Sequence, residues 1–448
     1  MLKKLLFVIA LISFTVQGQT YVKGTLSPVQ NYSWMVLYQL KGAKQLYIKN
    51  VTIENGEFSI DFPENASKGM YRLMYKQQNG GFIDFIYNNE NVTLKFNPEN
   101  PMETVEFLSS EENTIYHNYL LELVSKQQQL DSLQLAYFSL EDKAGKNITS
   151  NLYKNSCINF NNFQTEYEQK TNDKLTNHFI KSNNKYYSPS IIELPQEYLN
   201  SIKQHFFDFI NFEDKELMNS TFLSEKVTEY VFYLNRSDDY EVQNVLYKNA
   251  VDEVLGKIQN VNLQSEILIT LLNNFAQIEN TILIDFVLEN YYEKFPEELK
   301  NKALINKIQE KVKLAVGKFA PEITWEENGI TKKLSELNIA ENYIVVFWST
   351  GCSHCLHEIP LLYEYTKDKP NIHVVAFAIE REDIEFKKYE VKYTKWTNIL
   401  GLEKWNNPIA KAYQIHATPT YFILDKNKKI IAKPNLIEDV KAFFEANE

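Results

Sequence analysis

The chain has 448 residues, and 44% hydrophobic with 23% charged residues is typical of a globular protein rather than a disordered one. Its formal net charge of -11, with acidic residues spread along the chain, argues against a nucleic-acid partner, which requires clustered Lys and Arg. The length exceeds what one hydrophobic core supports, so we expect about two to four domains.

The first 18 residues have the pattern of a secretory signal peptide. Lys3 and Lys4 precede an apolar run from Leu5 to Phe14, and small residues follow at suitable cleavage positions. The run is short for a membrane span, and an uncleaved anchor is the alternative. The sequence therefore predicts an exported protein of the periplasm or cell envelope.

Residues 19–103 contain short β-type runs separated by turns rich in Gly and Asn. This spacing predicts a small β-sandwich of antiparallel strands. The segment also resembles the β domain that precedes thioredoxin domains in many exported Bacteroidetes proteins, in Asn55–Phe58 and Gly69–Leu73. The predicted strands are Trp34–Leu40, Gln45–Ile53, Glu57–Phe62, Tyr71–Tyr75, Phe82–Tyr87 and Asn91–Phe96.

Residues 104–315 show helical spacing and are predicted to form an α-helical domain. We expect its apolar stripes to be packed core rather than a ligand groove, because an amphipathic helix must bury such a stripe. A loop at Asn183–Pro195 is predicted to separate two sub-bundles, and Cys157 is expected to be a small half-buried apolar residue on a helix. The stripes consist of Ile115, Tyr119, Leu123 and Val124, and of Ile267, Leu271, Phe275, Ile278, Ile282 and Phe286.

A CxxC motif follows an apolar strand, Tyr343–Trp348, and opens a helix. The N-terminus of a helix offers unpaired N–H groups and a positive dipole end, which favour the thiolate of the first cysteine. We therefore expect Cys352 to be the nucleophile and Cys355 to be the buried thiol that resolves the mixed disulfide. This redox-active pair needs no other cofactor, and no metal is expected.

Two side chains beside the cysteines are candidates for tuning them. His354 lies between the cysteines, where an imidazole stabilises a thiolate; otherwise it is a solvated residue at the helix start. Glu358 follows Cys355 by three residues and shares its helix face. It is expected either to relay the proton that Cys355 must lose or to be a solvated surface carboxylate.

The pattern after the CxxC continues as alternating strands and helices, with Thr418-Pro419 leading into a strand at Tyr421. Six features of residues 317–448 form a recognisable set: Gly317 with Ala320-Pro321, Phe347-Trp348, the CxxC, Glu358, Pro360 and Thr418-Pro419. In these features residues 317–448 resemble the TlpA/ResA-like thioredoxin family. The chain is thus predicted to be multidomain: signal peptide 1–18, β-sandwich 19–103, α-helical domain 104–315 and α/β thioredoxin fold 316–448.

The resemblance also implies roles for individual residues. It implies a cis peptide bond at Pro419 beside the cysteines and backbone hydrogen bonds from Thr418 to a bound substrate segment. Trp348 is implied to tune the redox pair together with the carboxylate of Glu358, in addition to His354. Two positions depart from the family: Gly351 replaces a large residue before the first cysteine, which leaves the rim of the site more open, and the strand before the motif lacks the buried Asp of cytosolic thioredoxins.

The predicted function is that of a periplasmic thiol–disulfide oxidoreductase, and the family favours a disulfide reductase. Its expected partners are disulfide- or dithiol-containing protein substrates and an electron donor in the membrane, with a homodimer left open. One alternative is a copper metallochaperone using Cys352, Cys355 and His416. Another is an envelope binding protein, formed by the β and helical domains, with an accessory redox module. A zinc site would need a second ligand pair, and a peroxidase would need an Arg closer in sequence than Arg381.

Overall fold

The computed structural model describes residues 19–76 and 81–446. The predicted signal peptide lies outside the described residues. The chain divides into two compact units, the first ending at Leu271 and the second beginning at Leu272. In the part of the chain that the structure describes, no helix combines the length and apolar character needed to cross a bilayer.

The first unit begins with a β-sandwich, as predicted. Its two four-stranded sheets have the orders β4-β1-β7-β8 and β3-β2-β5-β6. Alternating residues of both sheets, among them Val22, Leu37 and Leu73, form one buried core. The strands are β1 Tyr21–Leu26, β2 Trp34–Lys41, β3 Lys44–Thr52, β4 Glu57–Asp61, β5 Gly69–Lys76, β6 Gly81–Tyr87, β7 Val92–Phe96 and β8 Glu106–Phe107.

Two features of this sandwich differ from the sequence prediction. Strands β1 and β8 were not expected, and β1 pairs with β7 in parallel rather than antiparallel. Gly24 interrupts the β-type residue pattern of β1. A Cβ at this position would lie 2.4 Å from Cζ of Phe58. Gly24 therefore permits a close approach that a strand-like side chain would block.

Helices fill the rest of the first unit. Several begin at side-chain caps; for example, Ser110 accepts the N–H of Asn113 at 3.3 Å, and Asp239 accepts that of Val242 at 2.9 Å. A π-helical turn, Glu229–Leu234, follows α7. The helices are α1 Pro101–Thr104, α2 Glu111–Ser139, α3 Lys143–Lys170, α4 Thr176–Asn183, α5 Pro195–Gln204, α6 Lys215–Met218, α7 Phe222–Thr228, α8 Tyr240–Lys257 and α9 Val261–Gln277, which spans the junction of the units.

Most residues of the predicted apolar stripes are buried, but four are not. Val124, Ile278 and Ile282 are exposed, and Phe286 is half-buried. The second stripe fails because α9 ends at Gln277 and Glu279 adopts a left-handed conformation with φ 53°, so the helical period is broken before the next helix begins. The loop predicted between two helices is present between α4 and α5, and Cys157 is buried in α3, more fully than the half-buried position expected.

The second unit contains the helices α10–α15, a β-hairpin and a five-stranded sheet with the order β13-β12-β11-β14-β15. Strands β11, β12 and β13 are parallel, whereas β14 and β15 are antiparallel to their neighbours. The elements are α10 Thr281–Asn290, α11 Lys302–Val312, β9 Thr324–Glu327, β10 Ile330–Lys333, β11 Asn342–Trp348, α12 Ser353–Thr366, β12 Ile372–Ile379, α13 Ile384–Glu390, β13 Thr397–Gly401, α14 Pro408–Ala412, β14 Thr420–Asp425, β15 Ile430–Ala432 and α15 Ile437–Glu445.

The central strand β11 is buried along almost its whole length, and its side chains alternate between two cores. Ile344, Val346 and Trp348 pack in one core with residues of α12 and α15. Tyr343 and Phe347 pack in the other core. This is the predicted α/β thioredoxin fold, and the fold class is confirmed; the domain boundaries at 103/104 and 315/316 stay predictions.

Candidate active site

The CxxC motif lies at the carboxyl end of β11, where the chain turns through Ser349–Gly351 into α12. Cys352 is the N-cap residue of this helix, and its Sγ accepts the backbone N–H of Cys355 at 3.2 Å. Cys355 is completely buried, whereas Cys352 is partly exposed. Both are free thiols. The geometry therefore makes one thiol accessible and encloses the other.

The surroundings of the two thiols shift their pKa values in opposite directions. Partial burial would raise the pKa of Cys352, but hydrogen bonds from the Cys355 thiol and from the backbone N–H groups of Cys355 and His354 outweigh it, so this pKa is lowered. Burial, and then the hydrogen bond to Cys352, raise the pKa of Cys355 to about 12. At neutral pH the accessible thiol is thus the better source of a thiolate.

The Thr418–Pro419 peptide bond is cis, and the loop that contains it lies against the accessible cysteine. The Cys352 thiol donates a hydrogen bond to the carbonyl oxygen of Thr418 at 3.3 Å. Antiparallel pairing of β14 with β11, with Thr420 opposite Phe347, brings this loop to the end of the sheet that carries the CxxC. The structure therefore brings Thr418 to the cysteine and places Pro419 next to it in the same loop.

Glu358 is buried with 3% of its surface exposed, so the solvated-surface alternative is wrong. Its Oε2 accepts hydrogen bonds from the hydroxyl of Tyr421 at 3.1 Å and from the backbone N–H of Ile437 at 2.8 Å. Burial raises the pKa of Tyr421, and the negative charges of Glu358 and Cys355 raise it further. Tyr421 is therefore electrostatically linked to both the buried carboxylate and the buried thiol.

The remaining predicted residues have different surroundings. Trp348 is buried in the apolar cluster that contains Cys355, with its ring edge-on to that of Tyr389 at 5.7 Å between centroids. The side chain of His354 is exposed. Gly351 is also exposed, and a Cβ on it would meet only Oγ of Ser349 at 3.9 Å. The rim before the first cysteine is open, as the departure from the family at Gly351 predicted.

The ligand set of the copper alternative is not assembled. His416 has an exposed side chain. Over residues 19–76 and 81–446, no group of three or more His, Cys, Asp or Glu side chains is arranged to hold a metal ion.

Sequence reasoning missed a carboxylate that organises the turn before the nucleophile. Glu380 directly follows β12 and is buried, with 7% of its surface exposed. Its Oε1 accepts the backbone N–H of Thr350, two residues before Cys352. Its own N–H donates to the carbonyl of Gly401 at 2.8 Å. An acidic residue immediately after a buried parallel strand was the available signal, because ligand-side groups gather at the carboxyl ends of such strands.

Comparison with known proteins gives matches to one protein class. Residues 341–430 match the family model Thioredoxin_8, described as thioredoxin-like. The thiol-disulfide oxidoreductase ResA of Geobacillus thermodenitrificans is 26% identical over 147 residues, which cover 32% of this chain and 83% of that protein. ResA of Bacillus cereus is 27% identical over 135 residues, covering 28% and 72%.

Solved structures include two similar domains. A domain of a possible thiol-disulfide isomerase from Cytophaga hutchinsonii is 34% identical and covers 30% of this chain and 93% of that chain, with a TM-score of 0.27. The thioredoxin domain of a thiol-disulfide oxidoreductase from Bacteroides vulgatus is 28% identical and covers 30% and 98%, with a TM-score of 0.26.

Proposed function

We propose that the protein reduces disulfides of exported protein substrates with Cys352 and Cys355. Its C-terminal domain belongs to the TlpA/ResA-like thioredoxin family and is a thiol–disulfide oxidoreductase. The observation that carries this proposal is the opposite shift of the two thiol pKa values. Cys352 is accessible with a lowered pKa, and Cys355 is buried with a pKa of about 12. This asymmetry suits an attacking thiolate and a resolving thiol that stays protonated until the mixed disulfide forms.

The first step is the attack of the protein on the substrate disulfide. The Cys352 thiolate attacks one sulfur of the substrate disulfide and forms a mixed disulfide with it. The other substrate sulfur leaves as a thiolate and takes a proton. Hydrogen bonds from the backbone N–H groups of Cys355 and His354 hold the attacking thiolate in place before the reaction.

The second step releases the reduced substrate. Cys355 loses its proton and attacks Sγ of Cys352, so the Cys352–substrate bond breaks and the substrate leaves as a dithiol. Two electrons and two protons have then passed to the substrate, and the protein holds a Cys352–Cys355 disulfide. A dithiol donor, which we place in the membrane, must reduce this disulfide before the next cycle.

Glu358 and Tyr421 are the groups we assign to the proton of Cys355. The Tyr421 hydroxyl hydrogen-bonds to the Glu358 carboxylate at 3.1 Å in a buried position. A carboxylate kept away from bulk water is a base for a thiol proton in the second step. Loss of this base slows resolution without changing the attack by Cys352.

The remaining roles follow from position. Thr418 and Pro419 form the loop against which a substrate segment lies, and Trp348 contributes to the apolar surroundings that keep Cys355 protonated. The apolar N-terminal run before Phe14 supports export to the periplasm or cell envelope.

The test combines a reduction potential with a trapping experiment. Redox titration of the pair in the Cys157→Ser protein, read by mass spectrometry, should give a midpoint near or below roughly -250 mV; a value of about -120 to -180 mV would instead mark an oxidant or isomerase. Cys355→Ser should accumulate mixed disulfides with an oxidised protein substrate, and Cys352→Ser should accumulate none. Insulin-disulfide reduction by Cys352→Ser at the unsubstituted rate would overturn the mechanism.

A further inference from the structure

The helical part of the first unit contains a cavity of about 270 Å³ that the redox chemistry does not use. Its wall comes from four segments: α2, the loop after α4, the end of α5 with the turns that follow, and α7 with the π-helical turn. Small-molecule sites are concave spaces of comparable size with aromatic walls and a few polar groups. Asp131, Lys185, Tyr186, His205, Lys226 and Glu229 are among the lining residues.

Most charged groups on this wall already have partners. Asp131 Oδ1 accepts hydrogen bonds from the hydroxyls of Tyr187 at 3.1 Å and Tyr198 at 2.6 Å. Lys226 donates to Glu229 Oε2 at 3.0 Å. His205 Nδ1 lies 2.6 Å from Asp208 Oδ2. These pairs leave little of the charge on Asp131, Lys226 and His205 to recruit a ligand.

Lys185 has the longest of these pairings. Its Nζ forms an ion pair with Oε1 of Glu229 at 4.0 Å, which is beyond hydrogen-bond distance, and 38% of its side chain is exposed. Burial lowers the pKa of Lys185, and the charge of Glu229 opposes this shift. An anionic ligand within hydrogen-bond distance would be a closer partner for this ammonium than Glu229 is.

The backbone at Lys185 is held rigidly, so its side chain starts from a fixed point. Gln164, which is buried, accepts the N–H of Lys185 at 2.7 Å and donates to its carbonyl at 3.2 Å. Glu229, the other group near the ammonium, begins the π-helical turn Glu229–Leu234. π-helical turns are rare and occur frequently at functional sites.

Part of the remaining wall is aromatic. The rings of Tyr186 and His205 pack with centroids 3.9 Å apart and a 34° tilt, which places two neighbouring rings beside Lys185. Phe206 and Tyr233 also line the cavity. Such surfaces bind planar apolar groups. We propose that this cavity binds a small organic anion with an aromatic body, with its anionic group on Lys185 and its ring against the Tyr186–His205 pair.

Calorimetric titration of the full-length protein tests the proposal with three probes that have the same benzene ring and differ in charge. Benzoate is expected to bind saturably and at least about tenfold more tightly than neutral benzamide, because a hydrogen bond to a charged group is worth that factor or more. Benzylamine should bind more weakly than either. Equal affinities for benzoate and benzamide, or no saturable binding of benzoate, overturn the proposal.

Two substitutions with opposite expected effects exclude a general loss of structure. Lys185→Met should weaken benzoate binding by about tenfold and abolish its preference over benzamide. Glu229→Gln removes the competing carboxylate and should tighten benzoate binding. Lys181→Met is the matched control, because Lys181 is exposed on α4 and is not part of the cavity wall. Benzoate affinity that is unchanged in Lys185→Met, or unchanged or weakened in Glu229→Gln, overturns the assignment.

Discussion

The carboxylate of Glu358 accepts the backbone N–H of Ile437 at 2.8 Å, so a side chain of α12 satisfies the first N–H of α15. The same oxygen accepts the hydroxyl of Tyr421 on β14. One buried carboxylate therefore joins three elements around the redox pair. Negative charge near a helix N-terminus is favourable, and the helix needs such a partner because its first N–H groups have none within the helix.

Replacement of Glu358 should affect both stability and proton transfer. Glu358→Ala leaves two buried donors without an acceptor and should lower the free energy of unfolding by about 2–4 kcal/mol, measured by urea denaturation. Glu358→Gln keeps an acceptor oxygen and should lose less stability. If the carboxylate relays the Cys355 proton, the Gln variant also shifts the pH dependence of disulfide exchange to higher pH.

Glu364→Gln is the control for this pair of variants. Glu364 is exposed on the same helix and pairs with Lys367 at the surface, so its loss should change stability by no more than about 0.5 kcal/mol. An unchanged pH profile in Glu358→Gln would leave Glu358 with a structural role alone.

The two cysteines should titrate far apart. Because hydrogen bonds lower the pKa of Cys352 below its ordinary value of 9.0, its thiolate is populated at a lower pH than that of a free thiol. Its alkylation by iodoacetamide should therefore reach half its maximal rate below that value. Alkylation of Cys355 should stay slow until the pH approaches about 12. Mass spectrometry of the reduced Cys157→Ser protein separates the two sites, and faster alkylation of Cys355 would contradict the assignment.

Glu380 is expected to act as a positioning residue for the turn before the nucleophile. Glu380→Ala leaves the Thr350 N–H without its acceptor and should lower kcat/KM for insulin reduction by about tenfold, since small displacements of a reacting group are costly. Glu380→Gln keeps a carbonyl oxygen at the same place and should restore most of the activity. The alkylation profile of Cys352 gives a second readout. Equal losses in both variants would show that the charge, not the hydrogen bond, is what matters.

The local parts of the fold were readable from the sequence. The predicted strands of the sandwich agree with the structure within one or two residues, because alternating burial and Gly-containing turns are local signals. The parallel pairing of β1 with β7 was not readable, because it joins residues about 70 positions apart and depends on the fit of Gly24 beneath Phe58. Glu279 likewise ended a helical stripe by a backbone conformation that composition does not encode.

Some residues of the active site could likewise be predicted from the sequence, and others could not. Cys352 and Cys355 could be assigned because motif, strand and helix are contiguous in sequence. The buried position of Glu358 was not predictable, since its partners Tyr421 and Ile437 come from β14 and α15. Glu380 was missed because its hydrogen bond to Thr350 forms only when β12 pairs with β11. His416, the third residue of the copper alternative, has an exposed side chain.

Gly401 tests how tightly the sheet behind the site is packed. A Cβ on Gly401 would lie 2.1 Å from Cε1 of Phe377, which is buried and packs against Phe347 at 5.3 Å between ring centroids. Because the ring is buried and would have to shift, Gly401→Ala should lower the free energy of unfolding by about 1–3 kcal/mol. The carbonyl of Gly401 also accepts the N–H of Glu380, so exchange activity should fall together with stability.

Gly351→Ala is the matched control in the same unit, because a Cβ there meets only Oγ of Ser349 at 3.9 Å. This substitution should leave stability unchanged or raise it by up to about 1 kcal/mol. Urea denaturation of the two variants compares them directly, and a Gly401→Ala protein as stable as Gly351→Ala would contradict the close contact between β13 and Phe377.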